Sequence, residues 1–214
     1  MAHAQEGLLA AWLSVPARHD EEFNDWYNTE HLQQVSSVDG FLSARRYRAV
    51  GDEGNWYLAL YDLSSSEVYF SEAFQHVLSN PTPWSRRIAR LYGPNRVVNV
   101  YRKILQIGDD PPEPVPFIFK ARMDIDPEIE DVFHEWYNHE HAPKLAAVPG
   151  CVRVRRFAAV RGTPRFAAIY DLDSAGVLDS EAWIEAREYG RTQSMRTRMS
   201  NVTKSCYERV HVLR

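Results

Sequence analysis

The sequence predicts an α+β fold built from two tandem βαββαβ units, each an antiparallel sheet with its helices on one face. Three observations predict it. The string "FNDWYNTEH" at Phe23 returns as "FHEWYNHEH" at Phe133, 110 positions later, with Phe, Trp, Tyr, Asn, Glu and His in register. The likeness then continues: "VDGFLSARRYRAV" answers "VPGCVRVRRFAAV", "YLALYDLSS" answers "FAAIYDLDS", and "SEAF" answers "SEAW". A fixed offset over most of the chain is the mark of a duplicated fold unit. Each copy also runs strand, helix, strand, strand, helix, strand, the order of a split βαβ unit.

The elements follow in order. "GLLAAWLSV" and "PFIFKARMDI" are apolar runs that end at turn formers, as opening strands do. The acidic stretches "RHDEEF" and "DPEIEDVF" then start a helix in each copy, because carboxylates favour the positive end of the helix dipole. Asp126 followed by Pro127 reads as an N-cap with proline at the first helical position. The helices run to about Val38 and Val148, and Gly40 and Gly150 lie just past their ends. Two strands follow, "FLSARRYRAV" with "NWYLALYDL" and "CVRVRRFAAV" with "RFAAIYDL", joined as hairpins by short glycine-bearing connections. A long second helix comes next, and "RVVNVYRKI" or "KSCYERVHV" closes each unit as a fourth strand. The Pro- and Asp-rich "QIGDDPPEPVP" separates the copies. The expected domains are residues 1–108, a linker at 109–116, and residues 117–214.

Bulk properties narrow the function. A chain of 214 residues that is 44% hydrophobic can bury a real core. A net charge of -4 argues against a nucleic-acid partner, which needs clustered positive charge. Arginines do gather in "ARRYRAV" and "VRVRRF", but inside alternating strands, where a solvated or ion-paired face is the simpler reading. Cys151 and Cys206 have no metal-binding spacing and read as reduced residues of a cytoplasmic protein. The opening apolar run is too short for a membrane span and lacks a signal-peptide layout, so neither membrane nor export is expected.

A two-layer unit leaves one sheet face to be covered, and a covalent pair covers it by packing sheet on sheet. The paired pattern resembles the dimeric α+β barrel superfamily of ferredoxin-like units, here as a fused tandem. The "WYNxEHxPK" helix end at Trp136 to Lys144 is similar to the EthD-like branch. The resemblance implies sheets packed into an intrachain barrel with helices outside. It also implies a pocket between helices and sheet lined by a His and a Tyr, and an enzyme acting on hydrophobic carbonyl or phenolic compounds, often without a cofactor. Fusion would satisfy the usual dimer within one chain, leaving a monomer or a homodimer of the whole.

The residues themselves point to acid–base chemistry. In an α-helix, positions four apart differ by about 40° and share a face, so Tyr27 pairs with His31 and Tyr137 with His141. An imidazole can exchange protons at neutral pH, and a phenol can donate to an oxygen that gains negative charge. Phe23 and Phe133 extend this face, and Trp26 and Trp136 lie one residue aside. All four are expected against substrate. Arg45 and Arg155 could anchor a substrate carboxylate or lie on an exposed strand face. Aromatics at helical spacing also form ordinary cores, so the repeat could be purely architectural. Of the two histidines His141 is favoured, because "HAPK" keeps the proline that "HLQQ" lacks. Asp62 and Asp171, each after a tyrosine, are expected to cap the second helix, and Trp84, without a counterpart, makes the two copies unequal.

"HEWYNH" at His134 resembles a zinc-protease motif, but its histidines are five apart, about 140° around a helix, so no zinc site is expected. Phosphate loops and nucleophile elbows are absent from the sequence. The expected protein is a cofactor-independent lyase or isomerase for a hydrophobic aromatic or polyketide-like compound, as in aromatic compound catabolism. A small monooxygenase or haem-binding barrel is the alternative enzyme, with a histidine as axial ligand. A non-catalytic ligand-binding module is the third reading.

Overall fold

The computed structural model describes residues 6–51 and 56–213. The first βαββαβ set opens with β1, Gly7–Ser14, followed by a helix in three parts: α1 Asp20–Trp26, a π-helical turn Tyr27–His31, and α2 Leu32–Ser36. Strands β2, Phe41–Ala49, and β3, Trp56–Leu63, come next. Helices α3, Glu72–Ser79, and α4, Pro83–Tyr92, lead to β4, Arg96–Ile107. The second set repeats the order. It runs β5 Phe117–Ile125, α5 Glu130–Trp136, a π-helical turn Tyr137–His141, α6 Ala142–Ala146, β6 Cys151–Arg161 and β7 Phe166–Leu172. It closes with α7 Glu181–Glu188, α8 Thr192–Arg196 and β8 Met199–Leu213.

The hydrogen-bonding order of the eight strands, β1-β3-β2-β8-β5-β7-β6-β4, is that of a closed antiparallel α+β barrel, the expected fold class. Contacts divide the chain into two compact units, Met1–Arg102 with Arg209–Arg214, and Lys103–Glu208. In the first unit β1 lies between β3 and β4, with Leu9 opposite both Tyr61 and Val100. In the second, β5 lies between β7 and β8, with Phe119 opposite Tyr170 and Cys206. Because side chains alternate across a strand, Leu9, Tyr61 and Val100 face the helix of their own unit and pack in one core with Phe23 and Trp26, as Phe119 and Tyr170 do with Phe133 and Trp136.

Two expectations need correction. The long second helix is broken in both copies. In the first, Pro81 and Pro83 stop α3 and start α4, with the Thr82 hydroxyl accepting from the Ser85 N–H. In the second, Gly190 at φ +61° ends the run and leaves α8 only five residues long. The expected cap by Asp62 and Asp171 also fails. Asp62 accepts from Ser43 at 2.7 Å and from Arg45, and Asp171 accepts from Arg153 at 2.5 Å and Arg155 at 2.9 Å. Other local readings hold. The Asp126 carboxylate accepts from the Glu128 N–H at 3.0 Å, and Gly40 and Gly150 take φ of +95° and +88°. The glycine-bearing connection between β2 and β3 lies largely outside the described residues, at 52–55. Among the described residues no helix is long and apolar enough to cross a membrane.

Candidate active site

The repeated nine-residue string sits where the first helix of each unit loosens from α to π. The Leu32 N–H reaches back five residues to the Tyr27 carbonyl, and the Ala142 N–H does the same to Tyr137. Such π turns inside α-helices are frequent at functional sites. In an unbroken α-helix Trp26 and His31 would point about 140° apart. The wider turn instead stacks them, with ring centroids 4.5 Å apart and planes at 22°. Trp136 and His141 stack alike, at 4.7 Å and 28°. Each imidazole also meets a tyrosine edge-on, Tyr27 or Tyr137, at 4.9 Å. The expected Tyr–His pairs therefore exist, and the tryptophans join them rather than standing aside.

The remaining letters of the string hold this cluster. Asn28 accepts from Arg46 at 2.5 Å, with Asn24 adding a second contact at 2.9 Å. Asn138 accepts from Arg156, whose other nitrogen lies 3.2 Å from His134 Nδ1. These guanidinium groups lie over the tyrosine faces, 4.2 Å from the Tyr27 ring centroid and 3.9 Å from that of Tyr137, within cation–π reach. Both arginines are fully buried, and burial lowers their pKa, that of Arg156 to about 10. The phenols are paired above them. Tyr61 donates to Tyr27 at 3.3 Å, and the Tyr137 and Tyr170 oxygens are 2.6 Å apart. Burial raises the pKa of all four phenols, so they are neutral hydrogen-bond donors at neutral pH.

The two histidines are neutral as well. Burial, and then the charge of Arg96, takes His31 down to about 3. Burial, with Arg196 and Lys204 next, takes His141 to about 3. Each lies on a cavity wall. His141 faces a space of about 350 Å³ with Trp136, Tyr137, Tyr170, Trp183, Thr192 and Lys204. His31 faces one of about 440 Å³ with Trp26, Tyr27, Tyr92 and Arg96. A recess of about 40 Å³ continues from it towards Tyr61 and Phe74. The Thr192 hydroxyl lies 3.4 Å from His141 Nδ1.

The two copies differ in one buried donor. Trp26 Nε1 donates to Glu30 and to Ser85, both at 3.1 Å. Trp136 Nε1 is buried with no partner among the described residues, because Glu140 has turned to Arg191.

Not every predicted residue reaches the pockets. Phe23 and Phe133 are fully buried behind the tyrosines, edge-on at 5.4 Å, and belong to neither wall. Arg45 and Arg155 are buried rather than exposed, ion-paired to Asp62 and Asp171 on the sheet face away from these pockets. Their neighbours Arg46 and Arg156 do the work at the tyrosines. The signal was present, since "RR" recurs at the same offset, and one member of any such pair must face the helices. Trp84 packs at the edge of the first core. Among the described residues no group of three or more His, Cys, Asp or Glu is placed to hold a metal.

No protein-family model matches the chain, and no curated protein matches it significantly. Solved structures do. An anthrone oxidase-like protein superposes with a TM-score of 0.67 at 15% identity, over 99% of this chain and 94% of that one. A variant chlorite dismutase from Candidatus Nitrospira defluvii gives 0.57 at 9%, over 97% and 93%. A ferredoxin-fold protein from Listeria monocytogenes, related to antibiotic biosynthesis monooxygenases, gives 0.51 at 10%, over 97% and 96%. At such identities the likeness carries the fold alone, and function has to be argued from the site.

Proposed function

We propose that this protein is a pocket enzyme whose first step is removal of a proton from a hydrophobic aromatic or polyketide-like carbonyl or phenolic compound. His141 is the base and Tyr137 the donor to the oxygen that gains charge, with His31 and Tyr27 as the corresponding pair in the first unit. The observation that carries this reading is the neutral imidazole of His141, stacked on Trp136 and edge-on to Tyr137 at the wall of a cavity of about 350 Å³. A neutral imidazole is competent to accept a proton, and Tyr170 beside Tyr137 can supply the hydrogen bond that frees the Tyr137 hydroxyl hydrogen for substrate.

The depressed pKa of His141 limits the substrate. A base near 3 cannot take a proton from an unactivated C–H. The depression comes chiefly from burial, which penalises a lone cation. When proton transfer creates an enolate or phenolate beside the imidazolium, the two opposite charges appear together and their attraction offsets part of that penalty. The substrate is therefore one whose proton is already acidic, a phenol, an enol, or a methylene flanked by carbonyl or aryl groups. Collapse of the anion by rearrangement, cyclisation or elimination makes the enzyme a cofactor-independent lyase or isomerase of the EthD-like kind.

A second reading is supported by the fold likeness to monooxygenase-related and anthrone oxidase-like proteins. There the same anion is handed to dioxygen. If a haem were its cofactor, the unprotonated nitrogen of His31 or His141 would hold it, and the haem would supply the activation of dioxygen.

Anthrone, whose methylene is activated by two aryl groups and a conjugated carbonyl, tests the shared first step. In D2O the protein should accelerate methylene deuteration, followed by NMR under argon, and His141→Ala should remove most of the acceleration. Undiminished exchange by a folded His31→Ala/His141→Ala double variant rejects proton abstraction here. Oxygen uptake on admitting air, or a Soret band on adding haem, moves the reading from lyase to oxygenase.

A further inference from the structure

We infer that the pocket of the first unit is a binding site for an aromatic carboxylate, with the ring against Trp26 and His31 and the carboxylate at a mouth made by Arg86, Arg90 and Arg96. The inference shares the pocket geometry of the proposed function but does not depend on proton transfer.

The three guanidinium groups are the unusual feature. All line the 440 Å³ cavity, and none forms an ion pair among the described residues. The hydrogen bond Arg86 makes is to the Pro81 carbonyl, at 2.8 Å. Arg86 and Arg90 are four apart on α4, so they share a face and repel, which weakens the empty helix. Arg87, one position on, turns away and is matched to Glu22 at 2.5 Å. The unmatched pair points to the cavity. No carboxylate belongs to this wall. Glu30, behind Trp26, is held by Trp26, by Thr82 at 2.6 Å and by Ser85 at 3.2 Å.

The second unit serves as the internal comparison. Its cavity also carries three cations, Arg187, Arg196 and Lys204, but Glu188 sits among them in the wall. Arg196 holds Glu188 at 2.6 and 2.9 Å, and Arg187 approaches it at 3.3 Å. One carboxylate thus already engages two of the three cations and offsets one of their charges. In the first unit all three are available to an anion, above walls of Ala11, Leu13, Val77 and Leu78 that suit an apolar ring. A cation arranged to oppose protonation of His31, as Arg96 is, favours negative charge in the same space.

Calorimetric titration of the full chain with 2-naphthoate and with its neutral analogue 2-naphthamide, at low ionic strength and neutral pH, tests the site. Naphthoate should bind at least about tenfold more tightly than the amide. Arg90→Gln/Arg96→Gln should abolish that preference without weakening the amide, and Arg86→Gln/Arg90→Gln should do the same if the first pair disturbs β4. Lys204→Met, in the other cavity, should leave naphthoate binding unchanged. Equal affinity for the two probes, no binding of either, or loss on Lys204→Met instead of the arginine changes overturns the inference. The deuteration assay reads proton transfer independently, so either result stands without the other.

Discussion

Trp26 and Trp136 occupy equivalent places, stack equally on their histidines, and differ in the fate of one N–H. Trp26 satisfies it through Glu30 and Ser85, whereas Trp136 leaves it buried and unpartnered. Removing a made hydrogen bond costs about 1 kcal/mol and strands the acceptors, while removing an unsatisfied donor is neutral or favourable. Trp26→Phe should therefore destabilise the protein by about 1 kcal/mol more than Trp136→Phe, read from urea midpoints; equal shifts would mean that Trp136 finds a partner in solution. This asymmetry was not legible in the sequence, because "WYNxEH" writes both copies alike. What separates them is Arg191 standing near the place of Thr82, a difference some fifty residues away from the string. The Tyr–His pairing, by contrast, was legible, since four-residue spacing keeps two side chains on one face in either helix type. The Trp–His stack was not, because five-residue spacing joins them only across a π turn.

Elements tell the same story about local and distant information. The strands and first helices could be read because alternation, acidic helix starts and the glycines after them are local signals. Gly150 shows why that residue type is required. Its φ is +88°, and a Cβ there would lie 2.5 Å from Val177 Cγ2 and 2.7 Å from Asp173 Oδ1. Gly51, at a similar φ of +91°, has nothing within 4 Å of the same position. Gly150→Ala should thus cost about 1–3 kcal/mol, combining backbone strain with a clash, and Gly51→Ala distinctly less. Thermal unfolding of the two variants side by side decides this, and equal losses would mean that packing around Gly150 yields. The break in the second helix is hidden for the opposite reason. An apolar periodicity runs through "SEAFQHVLSNPTPWSRRIARL", and only the prolines, whose effect depends on where the two segments can dock, divide it.

At the scale of the whole molecule, two half-buried neutral imidazoles make stability depend on pH in a defined window. Folding lowers the pKa of His31 and His141 from 6.5 to about 3. The unfolded chain therefore binds protons at each site as pH falls below 6.5 while the folded chain does not, and protons favour unfolding. The stabilisation is fully present above 6.5 and is lost progressively down to about 3, by up to about 1.4 kcal/mol per pH unit for each histidine. Water entering the cavities reduces that slope, since both rings lie on cavity walls. Two other groups add to it in the same direction, His134 and His211, whose pKa values burial also lowers. Below about 4.5 the depressed carboxylates of Glu22, Asp126 and Glu188 contribute too, so the interval from 6.5 to 5 isolates the histidines. Urea unfolding across that interval should show stability falling as the solution is acidified. In His31→Gln/His141→Gln, where neither site can take a proton, the fall should be much shallower, leaving only the smaller share of His134 and His211. An unchanged slope in the double variant would mean that the two imidazoles titrate normally in the folded protein. The stacked, water-poor histidine on which the proposed chemistry depends would then not exist in solution.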